Sequence, residues 1–129
     1  MAMPKRIVTK EIQAATTITA AETAIGSAID VRNFNTITVF IDYSNGDETS
    51  YDIIPKFSRV PGGDEHPLCS WSAVAGAKTV TADKFRMTAT GKHYFQLDIR
   101  GLTLIKLYGD ATGGTPTGTA QIGYTLTTD

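Results

Sequence analysis

One cysteine stands in the 129 residues, Cys69, so no disulfide forms within the chain. That fits synthesis and assembly in a reducing cytoplasm, and it means the core is held without covalent staples. A charge of one sign is also missing. The formal net charge is −1 and acids and bases alternate along the chain, which leaves no electrostatic case for nucleic acid or an anionic membrane as partner. No apolar run approaches the ~20 residues a bilayer-spanning helix needs. The start, MAMPKRIVTKEI, carries basic residues with no apolar segment behind them and does not read as a secretory signal. Runs of strong helix formers are scarce, which argues against a bundle. Gly-Gly pairs occur at 62–63 and 113–114, but neither continues into the Gly-Lys-Ser/Thr of a phosphate loop.

What the chain does have is alternation. In Thr36–Tyr43 the side chains of Ile37, Val39, Ile41 and Tyr43 share one face, and Thr36, Thr38 and Asp42 share the other, with Phe40 as the exception. Successive strand side chains point to opposite faces, so this is a strand with one buried side. Asn45-Gly46-Asp47-Glu48 follows and reads as a tight hairpin turn. The return strand places Tyr51, Ile53 and Phe57 on one side together with Pro55, which cannot donate a ladder hydrogen bond. The strand therefore belongs at a sheet edge or a bulge.

Taken in order, Met1–Gln13 reads as an N-terminal arm, with poor alternation around Ile7 and Val8. Residues 14–129 read as one domain. Thr17–Ala20 is expected to be a short strand and Ala21–Gly26 a loop. Pro61–Pro67 holds two prolines, two glycines and two acids and marks a surface loop. Short strands follow at Leu68–Val74, Lys78–Ala82 and Phe85–Ala89, then Tyr94–Ile99 after a turn at Gly91-Lys92. Leu102–Tyr108 is apolar on both faces, as a central strand is. Asp110–Gly118 is a loop, and Ala120–Leu126 closes the chain. About eight to ten strands at this spacing predict an all-β antiparallel sandwich, jelly-roll or immunoglobulin-like. The sequence reading finds no internal repeat.

Each candidate for chemistry has a plainer explanation. Asp42, Asn45, Asp47 and Glu48 offer oxygens for calcium, but a polar turn accounts for all four. His66 and Cys69 lie three apart with Ser70 next, yet no nucleophile motif surrounds them. His66, Cys69 and His93 are too few and too dispersed for a structural zinc site. Trp71, Tyr94 and Tyr108 could line a sugar-binding face, but aromatic residues in a β-sandwich more often serve as core or as oligomer-interface anchors. No nucleophile, base and charge stabiliser come together, so the chain is expected not to be an enzyme and to need no cofactor.

Three stretches carry a resemblance. Residues 18–43, ITAAETAIGSAIDVRNFNTITVFIDY, run from a Thr-rich start through a small-residue loop into Ile-Asp-Val-Arg and a β-branched strand. Residues 91–105, GKHYFQLDIRGLTLI, set one apolar strand directly before another. Residues 106–126, KLYGDATGGTPTGTAQIGYTL, give a strand, a Gly/Thr/Pro loop and a last alternating strand. This layout resembles the small β-sandwich virion proteins of tailed bacteriophages, above all head-decoration (cement) proteins and related tail components. The resemblance implies a non-enzymatic structural protein located in the virion and assembled in the host cytoplasm. Its partners would be the major capsid protein or other virion proteins, and a homo-oligomer, a trimer by preference, is expected. The implied contact residues are Lys5, Arg6, Ile7 and Val8 in the arm, and His66, Leu68 and Trp71 in a second segment. A tail or neck component and a carbohydrate- or receptor-binding module are the alternatives.

Overall fold

The computed structural model describes residues 6–74 and 77–128, with backbone alone described over 70–74 and 77–82. Eleven strands run along it: β1 (Ile7–Thr17), β2 (Thr23–Asp30), β3 (Thr36–Ser44), β4 (Ser50–Ser58), β5 (Glu65–Pro67), β6 (Cys69–Val74), β7 (Ala77–Ala82), β8 (Phe85–Met87), β9 (Gly91–Asp98), β10 (Leu104–Thr112) and β11 (Thr119–Thr127). One sheet has the order β1-β11-β3-β9. The second has the order β2-β10-β4-β5, with β8 also on β4, and β6 and β7 pair with each other. Every pairing is antiparallel. The main strands alternate between the sheets from β1 through β4 and again from β9 to β11. This is the jelly roll, two Greek keys folded into facing sheets, and it settles the choice left open between jelly roll and immunoglobulin-like sandwich.

The core lies between the sheets. Ile37, Val39, Ile41 and Tyr43 of β3 are at most 1% exposed, on the face the alternation assigns to them. They meet Ile53 of β4 and Ile105 and Leu107 of β10 in one apolar cluster, and the Tyr43 and Tyr51 rings stack across the sheets at 5.8 Å. Burying a side chain of this size contributes about 1.5–3 kcal/mol.

Several expectations are corrected. The 13/14 boundary falls inside β1, which runs antiparallel along β11 from Ile7 onward, while residues 1–5 of the expected arm lie outside the described residues. The poor alternation around Ile7 and Val8 has a cause. In this edge strand the inward row holds Val8 and Lys10, opposite Leu126 and Tyr124, while Ile7 faces outward. Farther on, the register shifts between Glu11 and Gln13 and again between Gln13 and Thr16. Each bulge resets which face a side chain takes. Ala21–Gly26 is not a loop throughout, because β2 starts at Thr23. Gly26 sits in it at a φ of 66°, and a Cβ there would meet the Ile12 side chain at 2.5 Å, so a glycine bulge lets the two strands pass closely. Residues 45–48 do not close a hairpin. They carry the chain from one sheet to the other, since β3 and β4 are not paired. Gly91-Lys92 lies within β9 rather than in a turn, and β10 continues to Thr112.

Pro55 does not mark a sheet edge or a bulge as expected: β4 lies inside its sheet, paired with β10 along its whole length and flanked by β5 and β8. Residues 65–67 pair with 58–56 of β4, and residues 85–87 pair with 53–51. Strands β5 and β8 are thus two halves of one edge strand, split by the β6–β7 hairpin. The split lies opposite Pro55, where no donor is needed. The hairpin's neck is closed by Leu68 N donating to Pro55 O at 3.3 Å and Asp83 N donating to Leu68 O at 2.6 Å.

Candidate interaction surface

The end of the sandwich holding the β2–β3, β4–β5 and β9–β10 connections is built on two matching turns. Asp30-Val31-Arg32-Asn33-Phe34 and Asp98-Ile99-Arg100-Gly101-Leu102 share one pattern: acid, buried aliphatic, arginine, a residue at positive φ, apolar residue. Phe34 N donates to Val31 O at 3.2 Å and Leu102 N to Ile99 O at 3.0 Å. Asn33 has a φ of 70° and Gly101 of 82°, as the third position of a type II turn requires. Each arginine folds back on its own aspartate: Arg32 Nη2 lies 2.6 Å from Asp30 Oδ2, and Arg100 Nη2 lies 2.7 Å from Asp98 Oδ2. The turns also bond reciprocally, Val31 N donating to Thr103 O at 3.0 Å and Ile99 N to Asn35 O at 2.9 Å. Position one of each turn thus donates to position five of the other, a local two-fold relation. The hydrogen bond from the adjacent arginine holds both Asp30 and Asp98 at about 2, below the usual aspartate value.

A groove beside these turns is lined by Arg6, Arg32, Arg100 and Phe34, and a second by Arg59, His66, Leu68 and Phe57; Gly101, Leu102 and Thr103 wall both. Four of the five arginines in the chain therefore gather at this end, although along the sequence they are spread over 95 positions, from 6 to 100. Arg6 also caps the Phe34 ring, its guanidinium 5.0 Å from the centroid.

The structure brings most of the expected contact residues to this end. Ile7 is 61% exposed at the start of β1, while Val8 turns inward and packs on the core. His66 is exposed in β5 and Leu68 is half-buried beside it. Lys5 lies outside the described residues, as does the Trp71 side chain, whose backbone is in β6 opposite Val80. Val60, 58% exposed in the β4–β5 connection, was missed. The turn pair was missed too, though the two D-[VI]-R strings are its signal.

The opposite end carries no ligand cluster. The Glu48 carboxylate, 3% exposed, accepts from Gly46 N at 2.7 Å, Gly118 N at 2.8 Å, Thr117 N at 3.0 Å and the Tyr43 hydroxyl at 2.5 Å. Four donors occupy it, so the Glu48 oxygens are engaged within the fold, tying its two neighbouring connections together. Among the described residues no three His, Cys, Asp or Glu side chains are placed to hold a metal. His93 lies against Ala89 O and the Phe85 ring in β9. Cys69 instead approaches Pro67 O at 3.3 Å. Tyr94 and Tyr108 do not share a sugar platform. Tyr94 lies on the outer face of the four-stranded sheet beside Phe40. Tyr108 lies on the outer face of the other sheet, bonded to Glu65 and under Lys56.

The topology thus defines a jelly-roll sandwich with a polar, arginine-rich end. Among solved structures the SPBc2 prophage-derived protein YomS is similar to it, with a TM-score of 0.60 and 16% identity over 99% of this chain and 98% of that one. A second match, a structure of infectious bursal disease virus strain Gx, has a TM-score of 0.49 and 11% identity and covers 96% of this chain and 32% of the other. No protein-family profile matches the sequence, and no curated protein does.

Proposed function

We propose that the chain is a non-enzymatic structural component of a tailed-phage virion, a head-decoration protein that docks on the assembled capsid through its arginine-rich end. The observation that carries the reading is the convergence there of the start of β1, the His66–Leu68 segment and the twin turns around one shared wall. Exposed Ile7 and Val60 supply apolar anchors, and arginines with apolar anchors are what protein interfaces favour. The likeness in fold to a prophage-derived protein agrees with a phage origin. A protein that binds only the expanded shell stabilises that shell by mass action, and many copies on a lattice add avidity. The jelly roll supplies the rigid platform, and a homotrimer matches three-fold sites on such a lattice.

The test is co-sedimentation of the full chain with phage heads that lack it. Saturable binding that weakens with salt is expected. The variant Arg6→Ala/Arg32→Ala/Arg100→Ala should lose at least about tenfold in affinity, about 1.4 kcal/mol, while still melting cooperatively. Equal binding by the triple variant would remove this end as the docking surface.

A further inference from the structure

We propose that the outer face of the four-stranded sheet binds a saccharide, one pyranose ring stacking on Phe40 and Tyr94. These rings face outward from paired positions on β3 and β9, with centroids 6.3 Å apart and planes inclined by 38°. They are 48% and 63% exposed, two large apolar groups amid threonine, glutamine and charge, with Ile7 the other large exposed apolar side chain of this face, two rows away on β1. The next residue in the same row is Gly123 on β11, opposite Phe40, and beyond it comes Glu11 on β1. Phe40, Asp42, Lys92, Gln121, Glu11 and Gly123 line a trough of about 430 Å³, within the range that holds small ligands, with Tyr94 outside its lining on the far side of Phe40.

The trough's rim has the polar chemistry a sugar needs. Asp42 and Lys92 are opposite each other in register, and among the described residues no ion pair joins them. Carboxylate and ammonium are therefore both available to hydroxyls. Gln121 donates to Glu11 at 2.7 Å, which orients its amide and leaves the carbonyl oxygen to accept. A pyranose matches this arrangement. Its C–H face is apolar and stacks on aromatic rings, and its equatorial rim offers hydroxyls that both donate and accept. A protein partner matches it less well, because Asp, Glu and Lys are depleted at the centre of protein interfaces. Nucleic acid is disfavoured by Asp42 and Glu11, which would face its phosphates. The inference does not rest on capsid docking, which uses the arginine-rich end and leaves this face open.

The experiment is amide chemical-shift titration of the full chain with methyl β-D-glucopyranoside, methyl β-D-galactopyranoside, N-acetylglucosamine and the tetrasaccharides of each. Saturable shifts confined to β3, β9 and β11 around Phe40 are expected. Phe40→Ala and Tyr94→Ala should each weaken them at least tenfold, and Asp42→Asn should weaken them as well, with circular dichroism unchanged. Shifts with tetrasaccharides alone would assign the site to a surface polysaccharide, and shifts with the monosaccharides too would assign it to the sugar unit itself. No saturable shift with any probe, or shifts that survive both aromatic replacements, would overturn the proposal. So would capsid binding that needs Phe40 and Tyr94 while every sugar is inert, which would put a protein on this face.

Discussion

Glu48 closes one end of the sandwich. Its carboxylate ties the β3–β4 connection to the β10–β11 connection through Thr117 and Gly118. Burial opposes its ionisation, but the bonds from Gly46, Tyr43 and Gly118 outweigh burial and hold the group at about 2 instead of 4.5. A depressed carboxylate adds stability that is complete above the unfolded-state value and is lost as pH falls through the folded one. Acid should therefore erode this contribution between about pH 4.5 and 2. Glu48→Gln, which keeps the shape and removes the charge, should cost about 1–3 kcal/mol at neutral pH. It should also flatten that acid limb, read by denaturant melts at stepped pH. At the other end, Gly101 has a φ of 82° with nothing within 4 Å of a built Cβ. Gly101→Ala should cost only backbone strain, about 1–2 kcal/mol, and Asn33→Gly should be close to neutral, both by thermal melt. None of Glu48's partners could be read in advance. A buried carboxylate and a turn residue look alike in sequence, and only the folded loops show which donors converge on it.

At the scale of elements, the split edge strand makes the sharpest prediction. Asp83 N reaches Leu68 O at 2.6 Å, the bond that closes a two-residue turn. Replacing residues 69–82 by Asn-Gly should leave a cooperative melt with a strand-rich circular dichroism spectrum. Loss of cooperativity would show that the β6–β7 hairpin belongs to the core. Beyond that turn, Asp52 is buried and gripped by Arg86 through Nε at 2.9 Å and Nη2 at 3.0 Å. Arg86→Ala should destabilise by about 1–3 kcal/mol, because the acid then stays buried without its main partner. Strand β3 was legible because nothing interrupts its period of two. Strand β1 was not, because its inward row at the sheet edge mixes Val8 with Lys10 while Ile7 faces outward, and two bulges then break the period beyond Glu11. Of the two three-residue half-strands, β8 lies within the strand expected at Phe85–Ala89, whereas β5 falls in the Pro61–Pro67 stretch that reads as a surface loop and is too short to show a period. Pro55 pointed to an edge or a bulge in its own strand, whereas its missing donor is met by a break in the neighbouring edge strand.

At the scale of the molecule, the class was legible and the connections were not. Alternation, turn residues and scarce helix formers specify a sandwich. Nothing local says whether Asn45–Glu48 turns back in the same sheet or crosses to the other, because the deciding contacts come from residues about 70 positions away. The arginines repeat the lesson: mixed along the sequence, they segregate once the turns at 30–34 and 98–102 are brought side by side. That segregation is what turns a featureless net charge into a candidate docking surface. The central claim, a shell component present in many copies, is tested most directly by counting this chain in purified virions by quantitative mass spectrometry. The account predicts copies on the order of hundreds, as a capsid lattice requires. A count of about a dozen or fewer would place the protein at the neck or tail tip and contradict it.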